Sequence, residues 1–273
     1  MKKSGKGFTL IEAVIVITIT GILAAVVAVF IKAPIQGYFD ASRRAELTDV
    51  ADTALRRIAR DLHLALPNSV RVTGGNQAIE FLQTRIGGRY RYSTGSSSAD
   101  NILDFTQADS SFEILGPPIL FRTGDQVVVY NLGIDGADAY QGNTAATHVR
   151  RSLNVAGIGS TTTVQIISSN PYPFDSPNHS FQVVDTPVSY LCDSATRTLT
   201  RYWGYDISAT QPNPPSVGAG LKSAVLAKNV ITCNFGYAAG VTERSGLVAI
   251  KISVGQNAES ISLHHEVHVS NVP

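Results

Sequence analysis

The chain has 273 residues, enough for one large folded unit or two modest ones, and 44% of them are hydrophobic. Charged residues make up only 16%, below the roughly 25% typical of soluble domains, which indicates that one segment lies in lipid or in a polymer interior. The net charge is +1 and there is no acidic or basic tail, so the composition speaks against a dedicated nucleic-acid-binding protein.

The chain begins with three lysines among its first six residues and continues into an apolar run from Phe8 to Ile31. As a helix with a rise of about 1.5 Å per residue this run is about 36 Å long, which crosses a hydrocarbon core of about 30 Å. The lysines then stay in the cytoplasm and the chain after Lys32 lies outside. A cleaved secretory signal is the alternative, because small alanines follow residue 23.

Glu12 is the one charged residue between Phe8 and Ile31. An ionisable group inside a membrane segment is costly, and it usually marks a function with a specific partner. The alternative is a side chain that reaches back to the lipid headgroups.

The string from Lys6 to Glu12, Lys-Gly-Phe-Thr-Leu-Ile-Glu, resembles the type IV prepilin signal shared by pilins and type II secretion pseudopilins. The resemblance implies that residues 1–7 are a leader peptide. It implies that a prepilin peptidase and N-methyltransferase cuts after Gly7 and methylates Phe8. It also implies that Glu12 neutralises the N-terminal amine of a neighbouring subunit during assembly, as a buried carboxylate needs a cation beside it.

The helix is expected to extend well beyond the apolar run. Pro34 predicts a bend or a local break, because proline removes one backbone donor and clashes with the preceding turn. We expect residues 8–36 to form the transmembrane or filament-core half of the helix. In this half, Gly21 and Ala25 form a small-xxx-small pair that allows close helix packing, unless they are ordinary residues of an anchor.

Residues 37–67 are predicted to form the amphipathic half of the helix, which ends at Pro67-Asn68. The cluster of Arg56, Arg57 and Arg60 is interpreted as a solvated face with Asp49, Asp52 and Asp61 nearby rather than as a polyanion site. Apolar residues recur at three- and four-residue spacing along the other face: Leu47, Val50, Ala51, Ala54, Leu55, Ile58, Leu62 and Leu66.

Residues 68–273 are predicted to form one β-rich head without a second long helix. The fold class is therefore α+β: a long N-terminal helix packed on a large, mostly antiparallel sheet, as the resemblance to pilins also implies. The predicted strands are Val70–Thr73, Ala78–Gln83, Arg89–Ser93, Gln126–Asn131, Thr163–Ile167, Ser180–Val184, Ser189–Cys192, Thr198–Trp203, Val230–Tyr237, Leu247–Val254 and Ser262–Val269.

The chain has two cysteines, Cys192 and Cys233, too few for a disulfide scaffold or a four-thiolate metal site. If the head lies outside the cytoplasm, oxidation is permitted, and we expect these two residues to form a structural disulfide. Two buried free thiols are the alternative.

The sequence lacks the usual nucleotide-binding, hydrolase and zinc-protease motifs, so we expect no catalytic site, no cofactor and no metal. His264, Glu266 and His268 alternate along one predicted strand, but neighbours on one face are about 7 Å apart, too far to share an ion easily. Asp135 and Asp138 carry the right chemistry for calcium, yet a polar turn explains them better.

Several segments of the predicted head resemble the PilW-type minor pilins, and among these the minor pilins of mannose-sensitive haemagglutinin (MSHA) pili. They are Val188–Cys192, Leu226–Val230 with Cys233–Tyr237, Ser245–Val248 and His264–Pro273. The resemblance implies a low-copy assembly subunit with other minor and major pilins and an inner-membrane assembly platform as partners, and no nucleic acid. The resemblance further implies a single-pass inner-membrane protein with a periplasmic head. Such a protein can also be incorporated into a surface pilus.

Two alternatives remain open at this point. A J-type minor pseudopilin of type II secretion also has a large β-rich head. A periplasmic enzyme or binding protein on a pilin-like anchor is the other alternative. Retention of Glu12 argues against the extreme tip position, because in the pseudopilin family the capping subunit lacks this glutamate.

Overall fold

The computed structural model describes residues 7–95, 100–141, 148–215, 220–240, 245–257 and 259–273. Lys2, Lys3 and Lys6 of the predicted leader lie outside these ranges. The predicted α+β class is confirmed, because one long N-terminal helix is followed by a head of strands. Every strand pair within the described residues is antiparallel.

The helix, α1, runs from Leu10 to Leu62 without interruption. The local break expected at Pro34 is wrong, since the residues on both sides of Pro34 are helical. Proline removes one backbone donor, and the long helical stretches before and after it supply enough intrahelical hydrogen bonds to carry the helix through.

The helix ends at Leu62, five residues before the predicted end at Pro67. From Leu64 onward the chain pairs with a strand instead. The Leu66 amide donates to the Leu82 carbonyl at 2.7 Å, and the Thr84 amide donates to the Leu64 carbonyl at 2.7 Å. Leu66 therefore fits the three- and four-residue spacing of the helix, but it lies after the helix. Its backbone pairs with a strand, and its side chain is buried there.

After the helix the described chain consists of strands, the loops between them and a short 3-10 turn at Val155–Gly157. The strands are β1 (Arg71–Thr73), β2 (Ala78–Arg89), β3 (Ser111–Glu113), β4 (Ile119–Phe121), β5 (Gln126–Val128), β6 (Arg150–Ser152), β7 (Gly159–Thr161), β8 (Thr163–Gln165), β9 (Ser180–Asp193), β10 (Thr198–Trp203), β11 (Lys222–Lys228), β12 (Val230–Ala238), β13 (Gly246–Gln256) and β14 (Glu259–Val269).

The main sheet is built around β9. One edge of β9 pairs with β2, and the other pairs with β5 along its first half and with β10 along its second half. Strands β1, β6 and β11 extend the sheet beyond β2, β5 and β10. A second sheet is the meander β12-β13-β14, and two further small sheets pair β3 with β8 and β4 with β7.

The first hydrophobic core lies between the second half of α1 and both large sheets. Ile58 on the helix, Phe81 on β2 and Phe235 on β12 are all completely buried in it. Each such side chain contributes about 1.5–3 kcal/mol by leaving water. The predicted apolar face of the helix from Leu47 to Leu62 is thus the face that holds the head on the helix.

A second core belongs to the chain between β2 and β9, residues 90–179. Phe112 on β3 and Val164 on β8 are completely buried there, and the core closes on Phe181 of β9. The rings of Phe112 and Phe181 meet edge to face with centroids 5.5 Å apart. This 90–179 insert is a packed part of the head with a core of its own.

Several strand predictions need correction. Ser180–Val184 and Ser189–Cys192 are parts of one strand, β9. Its pairing with β2 continues through Pro187, with shifts of register between Leu82 and Ile86. The predicted strand Arg89–Ser93 is absent: β2 ends at Arg89, and only an isolated bridge from Tyr90 to Ile114 follows. Five further strands, β3, β4, β6, β7 and β11, are not among the predicted ones.

Candidate processing and assembly site

The residues around the predicted cleavage point precede the helix. Gly7 to Thr9 are non-helical and exposed, and Thr9 has extended dihedral angles (φ −84°, ψ 149°). A β-carbon added at Gly7 would meet no atom within 4 Å. The described residues therefore place no steric demand for glycine at position 7.

Thr9 caps the helix and holds Glu12. The Thr9 hydroxyl oxygen accepts a hydrogen bond from the Glu12 amide at 3.4 Å, and the hydroxyl donates to Glu12 Oε2, also at 3.4 Å. This arrangement resembles a capping box, and the carboxylate lies in the first turn, where the helix dipole favours negative charge. This role of Thr9 was not predicted, although the Thr-x-x-Glu spacing that indicates it is visible in the sequence.

The first half of α1 is not covered by any of the residues that the structure describes. Among the described side chains from Phe8 to Phe39, all except Ala13 are exposed. The helix is long and apolar enough to cross a membrane. An added β-carbon at Gly21 would meet no atom within 4 Å and Ala25 is exposed, so this small pair packs against none of the described residues.

Cys192 on β9 and Cys233 on β12 form a disulfide with their Cα atoms 6.2 Å apart. The bond links the end of the central strand of the main sheet to the second sheet. It lies beside the first core, where both cysteines are buried. The disulfide therefore fastens together the two sheets that cover the helix.

The other candidate metal ligands of the sequence lie apart, on β14 and in the turn at residues 135–141. Within the described residues, no group of three or more His, Cys, Asp or Glu side chains could hold a metal ion. His264, Glu266 and His268 are exposed on β14. Asp135 accepts from the Gln141 side chain at 2.7 Å, and Asp138 accepts from the Tyr140 amide at 2.9 Å, so both carboxylates bond within their own turn.

Comparison with known proteins locates a family match at the N-terminus. Residues 2–28 match the family model of the prokaryotic N-terminal methylation motif. No curated protein and no solved structure matches the chain.

The methylation motif, the exposed apolar helix and the antiparallel head together support a type IV pilin-like protein, a class that includes pilins and pseudopilins. Such proteins are structural subunits rather than enzymes, and the motif implies processing by prepilin peptidase and pilin partners in general. One apolar N-terminal helix fits a single-pass membrane-anchored protein.

Proposed function

We propose that this protein is a minor pilin that helps to initiate the assembly of a type IV pilus. Within that class we propose the PilW type, and most specifically the MshO protein of MSHA pilus biogenesis. The observation that carries the proposal is the methylation motif at residues 2–28, which leads directly into an exposed apolar helix under a large β-rich head. The size of the head, with its 90–179 insert, fits a minor subunit better than an abundant one.

The first step of the proposed function is cleavage between Gly7 and Phe8, followed by methylation of the new amine on Phe8. The exposed, non-helical backbone at Gly7–Thr9 supports this step, because a peptidase must hold its substrate in an extended form. The open space around Gly7 fits a requirement set by the enzyme's own pocket.

The second step is the pairing of Glu12 with the amine on Phe8 of a neighbouring subunit. A charged carboxylate in the apolar part of a filament needs a cation beside it, and cleavage creates that cation. Within the first turn, the Thr9 hydroxyl accepts a hydrogen bond from the Glu12 amide and donates one to the Glu12 carboxylate, both at 3.4 Å. These hydrogen bonds are long, so the carboxylate remains able to accept a stronger partner.

The third element of the proposal is the topology. We propose that α1 crosses the inner membrane and that the head lies in the periplasm, where it meets other minor and major pilins and the assembly platform. The disulfide between Cys192 and Cys233 supports an oxidising compartment. No nucleic acid is among the proposed partners.

A J-type minor pseudopilin of type II secretion is the second candidate function, because the same motif and a large β-rich head are compatible with it. An in-frame deletion separates the candidates when surface pili are counted by electron microscopy and secreted proteins are measured by mass spectrometry. Loss of pili with normal secretion supports the minor pilin. Normal pili with depleted secretion supports the pseudopilin, and no change in either contradicts both and favours an anchored enzyme or binding protein.

The role of Glu12 is tested by Glu12→Gln, with Glu266→Gln on the exposed face of β14 as the matched control. We expect Glu12→Gln to be cleaved and folded normally but to fail in incorporation, measured by immunoblotting of sheared filaments. The control variant should assemble like the parent. Normal incorporation of Glu12→Gln would contradict the proposed pairing with the amine.

A further inference from the structure

Beyond the apolar run, α1 carries a second group of exposed apolar side chains that the head does not cover. Ile35 is 48% exposed, Tyr38 70% and Phe39 55%, whereas the first buried side chain of the helix is Leu47. The spacing of three and four residues brings Ile35, Tyr38 and Phe39 to one side of the helix. The rings of Tyr38 and Phe39 lie edge to face with centroids 5.9 Å apart.

The positions of the nearest charges fit a bilayer. Glu12 and Lys32 bracket the uncharged run Ala13–Ile31, and they lie twenty positions apart in one continuous helix. At about 1.5 Å per residue the distance between them is about 30 Å, the thickness of the hydrocarbon core. Both charges can therefore lie at opposite boundaries of the hydrocarbon at the same time.

Tyr38 lies six positions beyond Lys32, about 9 Å further along the helix axis. The headgroup layers extend a bilayer from about 30 Å to about 40–45 Å in total. Glu12 and Tyr38 are 26 positions apart, about 39 Å along the helix, so both fit within this total thickness when Lys32 lies slightly inside the outer hydrocarbon boundary. Tyrosine favours the headgroup layer because its ring is apolar and its hydroxyl is polar. Lys32 can extend its ammonium group into the same layer and meet lipid phosphates.

We propose that Ile35, Tyr38 and Phe39, together with Lys32, form an interfacial anchor that binds the outer headgroup layer of the bilayer and sets the depth of α1. At this depth Glu12 lies in the opposite headgroup layer, where water solvates it. Outward movement of the helix into a filament then draws Glu12 into hydrocarbon, which is costly unless an amine pairs with it. The inference concerns only the membrane-anchored state, so it holds or fails independently of whether the protein serves a pilus or a secretion system.

The depth can be measured on the full chain in vesicles of phosphatidylethanolamine and phosphatidylglycerol. Because Cys192 and Cys233 are joined to each other and are the chain's two cysteines, a nitroxide label attaches only to a newly introduced cysteine. Labels at Gln36→Cys and Ile11→Cys report the outer and inner interfaces through their collisions with oxygen and with a water-soluble nickel complex. Gly21→Cys and Asp49→Cys supply the hydrocarbon and water references.

We expect the labels at 36 and 11 both to report interfacial depth, between the two references. In the Tyr38→Ser/Phe39→Ser background, the label at 36 should move toward water by about one helical turn, about 5 Å, and the label at 11 should move deeper. Opposite shifts identify a translation of the helix, which a locally unfolded segment would not produce. Ser42→Ala is the matched control and should shift neither label.

Three results would overturn the inference. The first is a label at 36 as accessible to nickel as the label at 49. The second is an unchanged depth at both labels after removal of Tyr38 and Phe39. The third is a label at 36 that is in water in vesicles and becomes protected only in assembled filaments, which would make the aromatic pair a contact between subunits. Retention of the disulfide, measured by non-reducing electrophoresis, establishes in each variant that the head is folded.

Discussion

Asp61, in the last turn of α1, accepts a hydrogen bond at 2.7 Å from Nε of Arg201 on β10, and the two residues are only 3% and 8% exposed. Asp61 also accepts from the Tyr190 hydroxyl on β9 at 2.7 Å. The pair therefore fixes the end of the helix to two neighbouring strands of the main sheet.

We expect Asp61→Ala to lower the free energy of unfolding by about 3–5 kcal/mol, because it leaves the Arg201 guanidinium buried without its counter-charge. Urea unfolding of the detergent-solubilised protein measures the change. Asp52→Ala is the matched control: Asp52 pairs with Arg56 on the exposed face of the same helix, and its loss should cost less than about 1 kcal/mol. An equal loss of unfolding free energy in both variants would contradict the prediction that the buried ion pair stabilises the head more than the exposed one.

Alkaline pH should destabilise the head. Burial raises the pKa of several tyrosines above their ordinary value near 10, so the folded chain holds them neutral while the unfolded chain ionises them. The free energy of unfolding is therefore fully present below about pH 10 and falls as the pH rises above it. The tyrosines concerned are Tyr90, Tyr140, Tyr172, Tyr190, Tyr205 and Tyr237.

Tyr172→Phe tests this pH dependence at a single position. The Tyr172 hydroxyl is buried and has no hydrogen-bond partner among the described residues, so its removal should leave the protein equally or more stable at pH 7. Above pH 10 the variant should lose stability less steeply than the parent, measured by urea unfolding at several pH values. If the unfolding free energy of both proteins fell equally steeply above pH 10, the pKa of Tyr172 would be the same in the folded and unfolded states, which would contradict the prediction.

Loss of the disulfide should weaken the contact between the two large sheets. The Cys192→Ser/Cys233→Ser variant should lose about 3–4 kcal/mol of unfolding free energy, from the entropy that the bond removes from the unfolded chain. Tryptic mapping without reductant should recover the peptides of Cys192 and Cys233 linked to each other. Ready alkylation of both thiols in the unreduced native protein would show that the bond is absent.

Processing should depend on Gly7 through the peptidase and not through the fold. We expect Gly7→Val to retain residues 1–7, with an unchanged melting temperature of the head, because an added side chain meets open space in the chain. Intact-mass spectrometry distinguishes the retained leader from the cleaved and methylated form. Gly21→Val also adds a side chain in open space and should be processed normally, whereas blocked cleavage in both variants would point to a general defect in membrane insertion.

The long helix and the methylation motif could be predicted from the sequence because both depend on neighbouring residues. The string from Gly7 to Glu12 is contiguous, and the apolar spacing from Leu47 to Leu62 is local. The end of the helix was predicted wrongly because Leu66 continues that spacing while its backbone pairs with Leu82. Local spacing does not reveal such pairing.

Long-range pairing also explains the other errors. Asp61 was assigned to a solvated face, yet Arg201, 140 positions away, buries it. Strand β11 was missed because Lys-Ser-Ala-Val-Leu-Ala-Lys contains a single β-branched residue, and its pairing with β10 makes it a strand. The second core was not predicted because its side chains come from short strands that pair across the insert.

The position of β9 in the chain has a consequence for the order in which the head can form. Its partner β2 is complete at residue 89, but β9 begins at residue 180, after the whole 90–179 insert. During synthesis, the apolar face of α1 therefore lacks the central strand of its sheet until about two thirds of the chain has been made. Closing so long a loop slows folding, so the growing chain passes through an interval in which that apolar face is exposed.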